Sequence, residues 1–274
     1  MTSIAMPLID IGANLTNSRF QDDLDAVLAR ARSAGVGQII VTGTSSAASR
    51  AAFALTQRFP DMLYSTAGVH PHDAKHWDSN SAKLIAELAS HPAVVAIGEC
   101  GLDFNRNFSP RQQQLDCFEA QLELAVKLKK PVFLHDRDAH DDFLAILKRY
   151  RNALSGAVVH CFTGSLEEMR AYLDLDCHIG ITGWVCDQRR GDGLRQAVKH
   201  LPLERLMIET DAPFLTPPNL SPKPANNRNE PAFLPPIVAT LSRIMQIKPQ
   251  ELAAQTVRTT QLFFALPAST TIVQ

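Results

Sequence analysis

Eight times along this chain a short apolar run, rich in β-branched residues, gives way to a stretch with helical periodicity. The runs end near Asp10, Thr42, Val69, Glu99, His135, His160, Thr182 and Asp211. Runs of that length between helices read as parallel strands buried on both faces. Eight such units predict an α/β fold, the closed (β/α)8 TIM-type barrel, whose chemistry sits where the strands end. An additional C-terminal helix is expected from Pro249 through Leu252, Val257, Leu262 and Phe263, packed outside the barrel. A doubly wound open sheet shares the alternation but concentrates its site at one switch point. Polar residues end nearly every strand here, which suits a ring of loops better.

The helices carry their own signals. The first runs from Asp22 with Leu24, Val27, Leu28 and Ala31 on one face, and Gly35 stops it. Ser109 and Pro110 read as N-cap and first residue of the helix that uses Leu115, Phe118, Leu122, Ala125 and Leu128. Pro131 restarts the chain as a strand, and the last crossover begins near Pro231. No low-complexity linker or repeat divides residues 1–274, so one barrel domain is expected, with 266–274 a flexible tail.

Composition narrows the function classes. A formal net charge of -1 supplies no global field toward long nucleic acid or an acidic membrane, so a phosphate substrate needs a local site. Five cysteines with no C-x-x-C pair argue against a disulfide framework and a zinc knuckle, and read as reduced thiols of a cytoplasmic protein. The first ten residues show no signal-peptide pattern, and no segment has the length of a membrane span. Neither G-x-G-x-x-G after the first strand nor a G-x-x-x-x-G-K-[ST] motif is present, so a nucleotide cofactor lacks support.

Glu99, His135 and His160 end successive runs, and imidazole and carboxylate are good ligands for divalent metals. Any one alone reads as a hydrogen-bonded histidine or a solvated acid; together they point to a metal. Asp211, on the eighth strand, is placed to ligate metal or take a proton from bound water, and Glu209 reads as an interior partner. Gly-Val-His-Pro-His-Asp brings His70 and His72 just past the third strand. His70 can polarise a phosphate or relay a proton, or both histidines can be parts of a structural turn. Arg137, two residues after His135, is the better basic candidate for a phosphate oxygen. Arg228 in Arg-Asn-Glu-Pro can contact substrate or pair with carboxylates. Phe104 and Trp184 can stack a base or cover the core.

These same segments resemble the TatD family of metal-dependent deoxyribonucleases. The resemblance rests on Asp-Ile-Gly-Ala-Asn-Leu, Gly-Val-His-Pro-His, Gly-Glu-Cys-Gly-Leu-Asp-Phe, His-Asp-Arg-Asp-Ala, His-Cys-Phe-Thr-Gly, Ile-Gly-Ile-Thr-Gly-Trp-Val-Cys-Asp, Glu-Thr-Asp-Ala-Pro and Arg-Asn-Glu-Pro, from Ile9 to about Phe264. It implies an amidohydrolase-like barrel and a magnesium-dependent 3′–5′ exonuclease. The implied substrate is single-stranded DNA, with RNA as a second one, and the implied role is repair of oxidative DNA damage. Position by position, Glu99, His135 and His160 match the family's metal ligands, Asp211 the acid of T-D-x-P, and His70 a histidine near the scissile phosphate. Many relatives open with H-x-H on the first strand, where this chain has Gly12 and Asn14. One firmly held ion is therefore expected, with any second ion weak beside Asp211.

A divalent ion answers both needs of phosphodiester hydrolysis, activating water and neutralising the phosphate. The expected roles are metal binding for Glu99, His135, His160 and Asp211, catalysis by Glu99, Asp211 and His70, and substrate binding by His70, His72, Arg137 and Arg228. Two imidazoles with carboxylates lean toward Zn2+ or Mn2+; Mg2+ comes from the resemblance. The rivals are a hydrolase of a small amide or lactone on the same barrel, and a non-catalytic binding barrel. The expected partner is a single-stranded DNA or RNA end, gripped by a monomer without a membrane.

Overall fold

The computed structural model describes residues 7–224 and 226–268. Among these, eight strands form one sheet in the order of the chain, the (β/α)8 order expected from the alternation. An isolated parallel bridge between Ala13 and Ala212 joins the end of the first strand to the segment after the last. The expected signal-free N-terminus falls largely on residues 1–6, outside the described residues. Of the expected tail, 269–274 also lie outside them, whereas Leu266 is buried and its N–H donates to Gln261 O.

The chain divides into two compact units. The first holds the chain up to Ile40, Cys161–Met169, and Ile179 onward. It carries β1 (Leu8–Ala13), α1 (Leu24–Ser33) and most of β2 (Val36–Val41). Later in the chain come β7 (His178–Ile181), α7 (Asp192–Val198), β8 (Leu206–Ile208), α8 (Leu234–Met245) and α9 (Pro249–Phe264). Gly35, at φ +85°, ends α1 in the left-handed region that a glycine enters without penalty. All six residues of β1 are buried, as a strand covered on both faces requires.

The second unit spans Val41–His160 with Arg170–His178. Its elements are α2 (Ser46–Arg58), β3 (Leu63–Ala67), α3 (Ser79–Ala89), β4 (Val94–Asp103), α4 (Arg111–Leu128), β5 (Val132–Arg137), α5 (His140–Tyr150) and β6 (Ala157–Val159), with most of α6 (Leu166–Asp174). Ser45 caps α2 by accepting from Ala48 N at 3.1 Å, and Asp78 caps α3 by accepting from Ser81 N at 2.8 Å. Ser109 does not cap α4 as its sequence position suggests. Its hydroxyl instead accepts from Lys75 N and donates to His72 O, tying together two loops that reach the site.

Helix α4 fastens the site from behind with two buried glutamines. Gln121 accepts from Val69 N at 2.8 Å and donates to Val69 O at 2.9 Å, holding the backbone that leads into His70. Gln114 accepts from Asp103 N and donates to Asp103 O and Ser109 O, holding the end of β4. An amide in place of an apolar side chain satisfies backbone groups that leave the ladder at a strand end.

Candidate active site

Glu99 does not end its strand. Strand β4 runs on to Asp103, and its pairing with β5 shifts register between Gly98 and Cys100, leaving Glu99 as the extra residue. A bulge re-aims a side chain and breaks the alternation of faces. Glu99 N donates to Gly43 O at 2.7 Å, so the bulged residue is still anchored. Two glycines allow β4 and β5 this close: a Cβ on Gly98 would lie 2.2 Å from Phe133 O, and one on Gly101 1.9 Å from His135 O. Both have positive φ, +139° and +145°. His135 likewise lies inside its strand, beside Gly101, while His160 follows β6 directly.

Three imidazoles converge on one oxygen. Glu99 Oε1 lies 2.8 Å from His160 Nε2, 3.0 Å from His135 Nδ1 and 3.2 Å from His70 Nε2. Burial alone would raise the Glu99 pKa, but His160, His70 and His135 outweigh it and hold the carboxyl well below its usual range. The glutamate is therefore an anion at neutral pH, in a place with almost no water. His70, Glu99 and His135 present donor atoms close enough together to hold a metal ion.

The three histidines are not equivalent. His70 Nδ1 accepts from His72 N at 3.0 Å, and burial draws its pKa down to about 4. A neutral ring whose Nδ1 is an acceptor carries its proton on Nε2, the nitrogen facing Glu99. His70 is thereby a hydrogen-bond donor, not a lone-pair donor, toward the site. His135 has its Nε2 buried without a hydrogen-bond partner, 3.7 Å from Asp103 Oδ2. Burial lowers the His135 pKa, yet the Asp103 and Glu99 carboxylates outweigh that and raise it. His160 stacks on Phe133, ring centroids 4.4 Å apart, which sets the plane of its imidazole.

Sequence reasoning missed Asp103. It is the acid of Gly-Leu-Asp-Phe, four residues after Glu99 and the last residue of β4, and that placing of a carboxylate at a strand end was the available signal. Its carboxylate accepts from Asn105 N, Arg106 N and His72 Nε2, the last at 2.6 Å, and despite burial His135, His72 and the Arg106 N–H hold its pKa well below the usual range. Asp103 thus faces two of the histidines, His72 and His135, from the far side of the cluster. Arg137 ends β5, is exposed and makes no ion pair among the described residues.

In the first unit, Asp211 lies three residues past β8 at φ +54°, and its Oδ1 accepts from Asn14 Nδ2 at 2.9 Å. Glu209 is buried and accepts from Cys161 N. Asp10 is buried and accepts from Gly12 N, Thr210 N and Thr210 Oγ1. The Arg-Asn-Glu-Pro segment is a clamp. Asn229 donates to Thr210 O and Phe214 O on either side of Asp211, and Arg228 pairs with Asp23 and Glu230. Arg228, expected at the substrate, has both terminal nitrogens engaged by Asp23, Glu230 and Arg19 O, the carboxylate pairing that was its alternative reading. Phe104 is nearly covered, with Arg111 over its ring at 4.3 Å, and Trp184 carries Arg190 at 4.5 Å.

A (β/α)8 sheet with a buried carboxylate ringed by imidazoles defines a hydrolase of the metal-dependent barrel class. The family model for TatD related DNases matches residues 9–265. The chain belongs to that family. The 3′-5′ ssDNA/RNA exonuclease TatD of Edwardsiella piscicida is 54% identical over 239 residues, 87% of this chain and 92% of the relative. The protein of the same name from Citrobacter rodentium is 52% identical over 259 residues, 94% and 98% of the two chains. Among solved structures, the TatD homologue YJJV from Escherichia coli K12 superposes with a TM-score of 0.88 at 30% identity, covering 97% of this chain and all of that one.

Proposed function

We propose that this chain is a metal-dependent 3′–5′ exonuclease that hydrolyses phosphodiester bonds of single-stranded DNA and RNA. The observation that carries the reading is the convergence of three imidazole nitrogens on Glu99 Oε1, in a chain whose relatives at 50–54% identity bear that activity in their names. One carboxylate oxygen has two lone pairs and is poorly suited to three N–H donors. A cation shared between oxygen and nitrogens accounts for the grouping better.

The donor set fits a divalent ion. Glu99, His135 and His160 would hold it, with Glu99 Oε1 3.0 Å from His135 Nδ1 and 2.8 Å from His160 Nε2. Mg2+ is the ion we assign, as the family resemblance implies, with Mn2+ or Zn2+ as the other ions that imidazole and carboxylate suit. The unpartnered Nε2–H of His135 points toward Asp103, as a ligating histidine directs its second nitrogen to a carboxylate. When bound, the ion lowers the pKa of water and neutralises phosphoryl charge.

The chain's own groups do the rest. His70 donates its Nε2 proton to a non-bridging phosphate oxygen, and exposed Arg137 offers a second, charged contact. His72 is held by Asp103 at the edge of the same pocket and faces the substrate strand. For Asp211 of the first unit, whose carboxylate accepts from Asn14, the Thr-Asp-Ala-Pro motif of the family implies a share in ligation or water activation. The cellular role we assign is repair of oxidised DNA.

Single-stranded oligonucleotides labelled at the 5′ or the 3′ end, incubated with Mg2+ or with EDTA, test the reading. A ladder of progressively shorter 5′-labelled products, seen only with metal, is the expected result. Absence of cleavage of any phosphodiester, or cleavage undiminished in Glu99→Gln, refutes it.

A further inference from the structure

We propose that Phe108 is a stacking platform for the nucleobase of a nucleotide flanking the scissile phosphate, an inference that rests on the exonuclease reading above. Among the described residues only three large hydrophobic side chains are exposed, and Phe108, 56% accessible, is the one on the loop that follows β4. Its ring meets the ring of His72 edge-on, centroids 4.7 Å apart, and His72 in turn meets His70 at 4.3 Å. The exposed aromatic face therefore stands two imidazoles away from Glu99.

The loop that presents the ring is braced. Phe104 N donates to Arg137 O, Asn107 Nδ2 donates to Phe104 O, and Asn105 Nδ2 donates to Asp138 Oδ2. Lys75 Nζ donates to Phe108 O, and the next residue, Ser109, is fully buried and tied to His72 O. A ring carried on so constrained a backbone is ordered before substrate arrives, which lowers the entropic cost of stacking on it. Arg106 on the same loop and Arg111 at the start of α4 are exposed cations, suited to the strand's phosphates. Phe104 is ruled out as the platform because Arg111 already covers its ring.

Base–aromatic stacking is sequence-tolerant and stronger for purines, which suits an enzyme that removes any nucleotide. Phe108→Ala is expected to raise KM for a purine oligonucleotide about 5- to 100-fold, with kcat changed far less. Phe108→Trp should restore the wild-type KM. An oligonucleotide made abasic at one of the two nucleotides flanking the scissile bond should cost the wild type the same factor, and the two losses should not compound in the variant. Thermal melting of Phe108→Ala checks that the fold is intact. Equal KM values for the variant and wild type, compounding losses, or failure of Phe108→Trp to rescue overturn the proposal while leaving the exonuclease standing. Failure of the wild type to cleave any oligonucleotide removes the reading it rests on.

Discussion

The backbone N–H of His72 donates to His70 Nδ1 at 3.0 Å, and this one hydrogen bond decides what His70 can do. With Nδ1 accepting and the ring neutral, its proton is on Nε2, directed at Glu99 and at whatever anion shares the pocket. In the function proposed above, the histidine acts as a phosphate donor and ligation falls to His135 and His160. His70→Ala should lower kcat/KM by about 100- to 1000-fold, the usual cost of one transition-state donor. The affinity for Mn2+, followed by calorimetry, should stay within a few-fold of wild type. Loss of metal binding in that variant would return His70 to the ligand set.

Close approach of β4 to β5 depends on Gly101, where a Cβ would sit 1.9 Å from His135 O at a φ of +145°. Gly101→Ala should destabilise the protein by about 3 kcal/mol or more, because steric overlap with backbone adds to an unfavourable dihedral. Urea unfolding checks this. A change under about 1 kcal/mol would mean that the strands part easily there.

Asp10 is fully buried, and burial raises its pKa to about 7 in spite of the Thr210 and Gly12 hydrogen bonds. The sign follows from linkage. Below the unfolded pKa of about 4 the group is protonated in both states; above it the unfolded chain releases a proton that the native state keeps, until the pH passes about 7. Asp10 thus contributes a loss of stability as pH rises from about 4 to about 7, of up to roughly 4 kcal/mol. Asp10→Asn should gain on wild type across that window when urea midpoints are compared at pH 4.5, 6 and 7.5. A difference independent of pH would contradict the assignment.

Arg228 joins Asp23 and Glu230, and Glu230 is nearly buried. Removing the guanidinium in Arg228→Met leaves Glu230 held by Arg30 alone, at a cost of about 1–3 kcal/mol. The folded enzyme's KM for oligonucleotide should be little altered. A large rise in KM with unchanged stability would place Arg228 at the substrate after all.

The order of strands and helices was legible because burial on both faces forces apolar runs, and those runs are visible without any partner. Glu99, His135 and His160 were legible for the same reason, as polar residues that interrupt or follow such runs. The bulge at Glu99 was not, since a one-residue register shift belongs to the pairing of β4 with β5 and leaves no local periodicity. Nor were Gln114 and Gln121, which sit among apolar positions of α4 and meet backbone groups distant in sequence. His70 and His72 were recognised as a pair, but their division of labour depends on a backbone turn at Pro71 that brings His72 N to His70 Nδ1. Asp103 was read as part of a motif, and only the fold sets its carboxylate against His72 and His135.

The central claim is that Glu99, with His135 and His160, holds one divalent ion. Calorimetric titration of the metal-free protein with Mn2+ tests it directly, run on the wild type and on Glu99→Gln. One tight ion in the wild type, lost in the variant while its melting temperature stays near that of the wild-type protein without metal, is the predicted result. Two equally tight ions without substrate, or unchanged binding in Glu99→Gln, would contradict it.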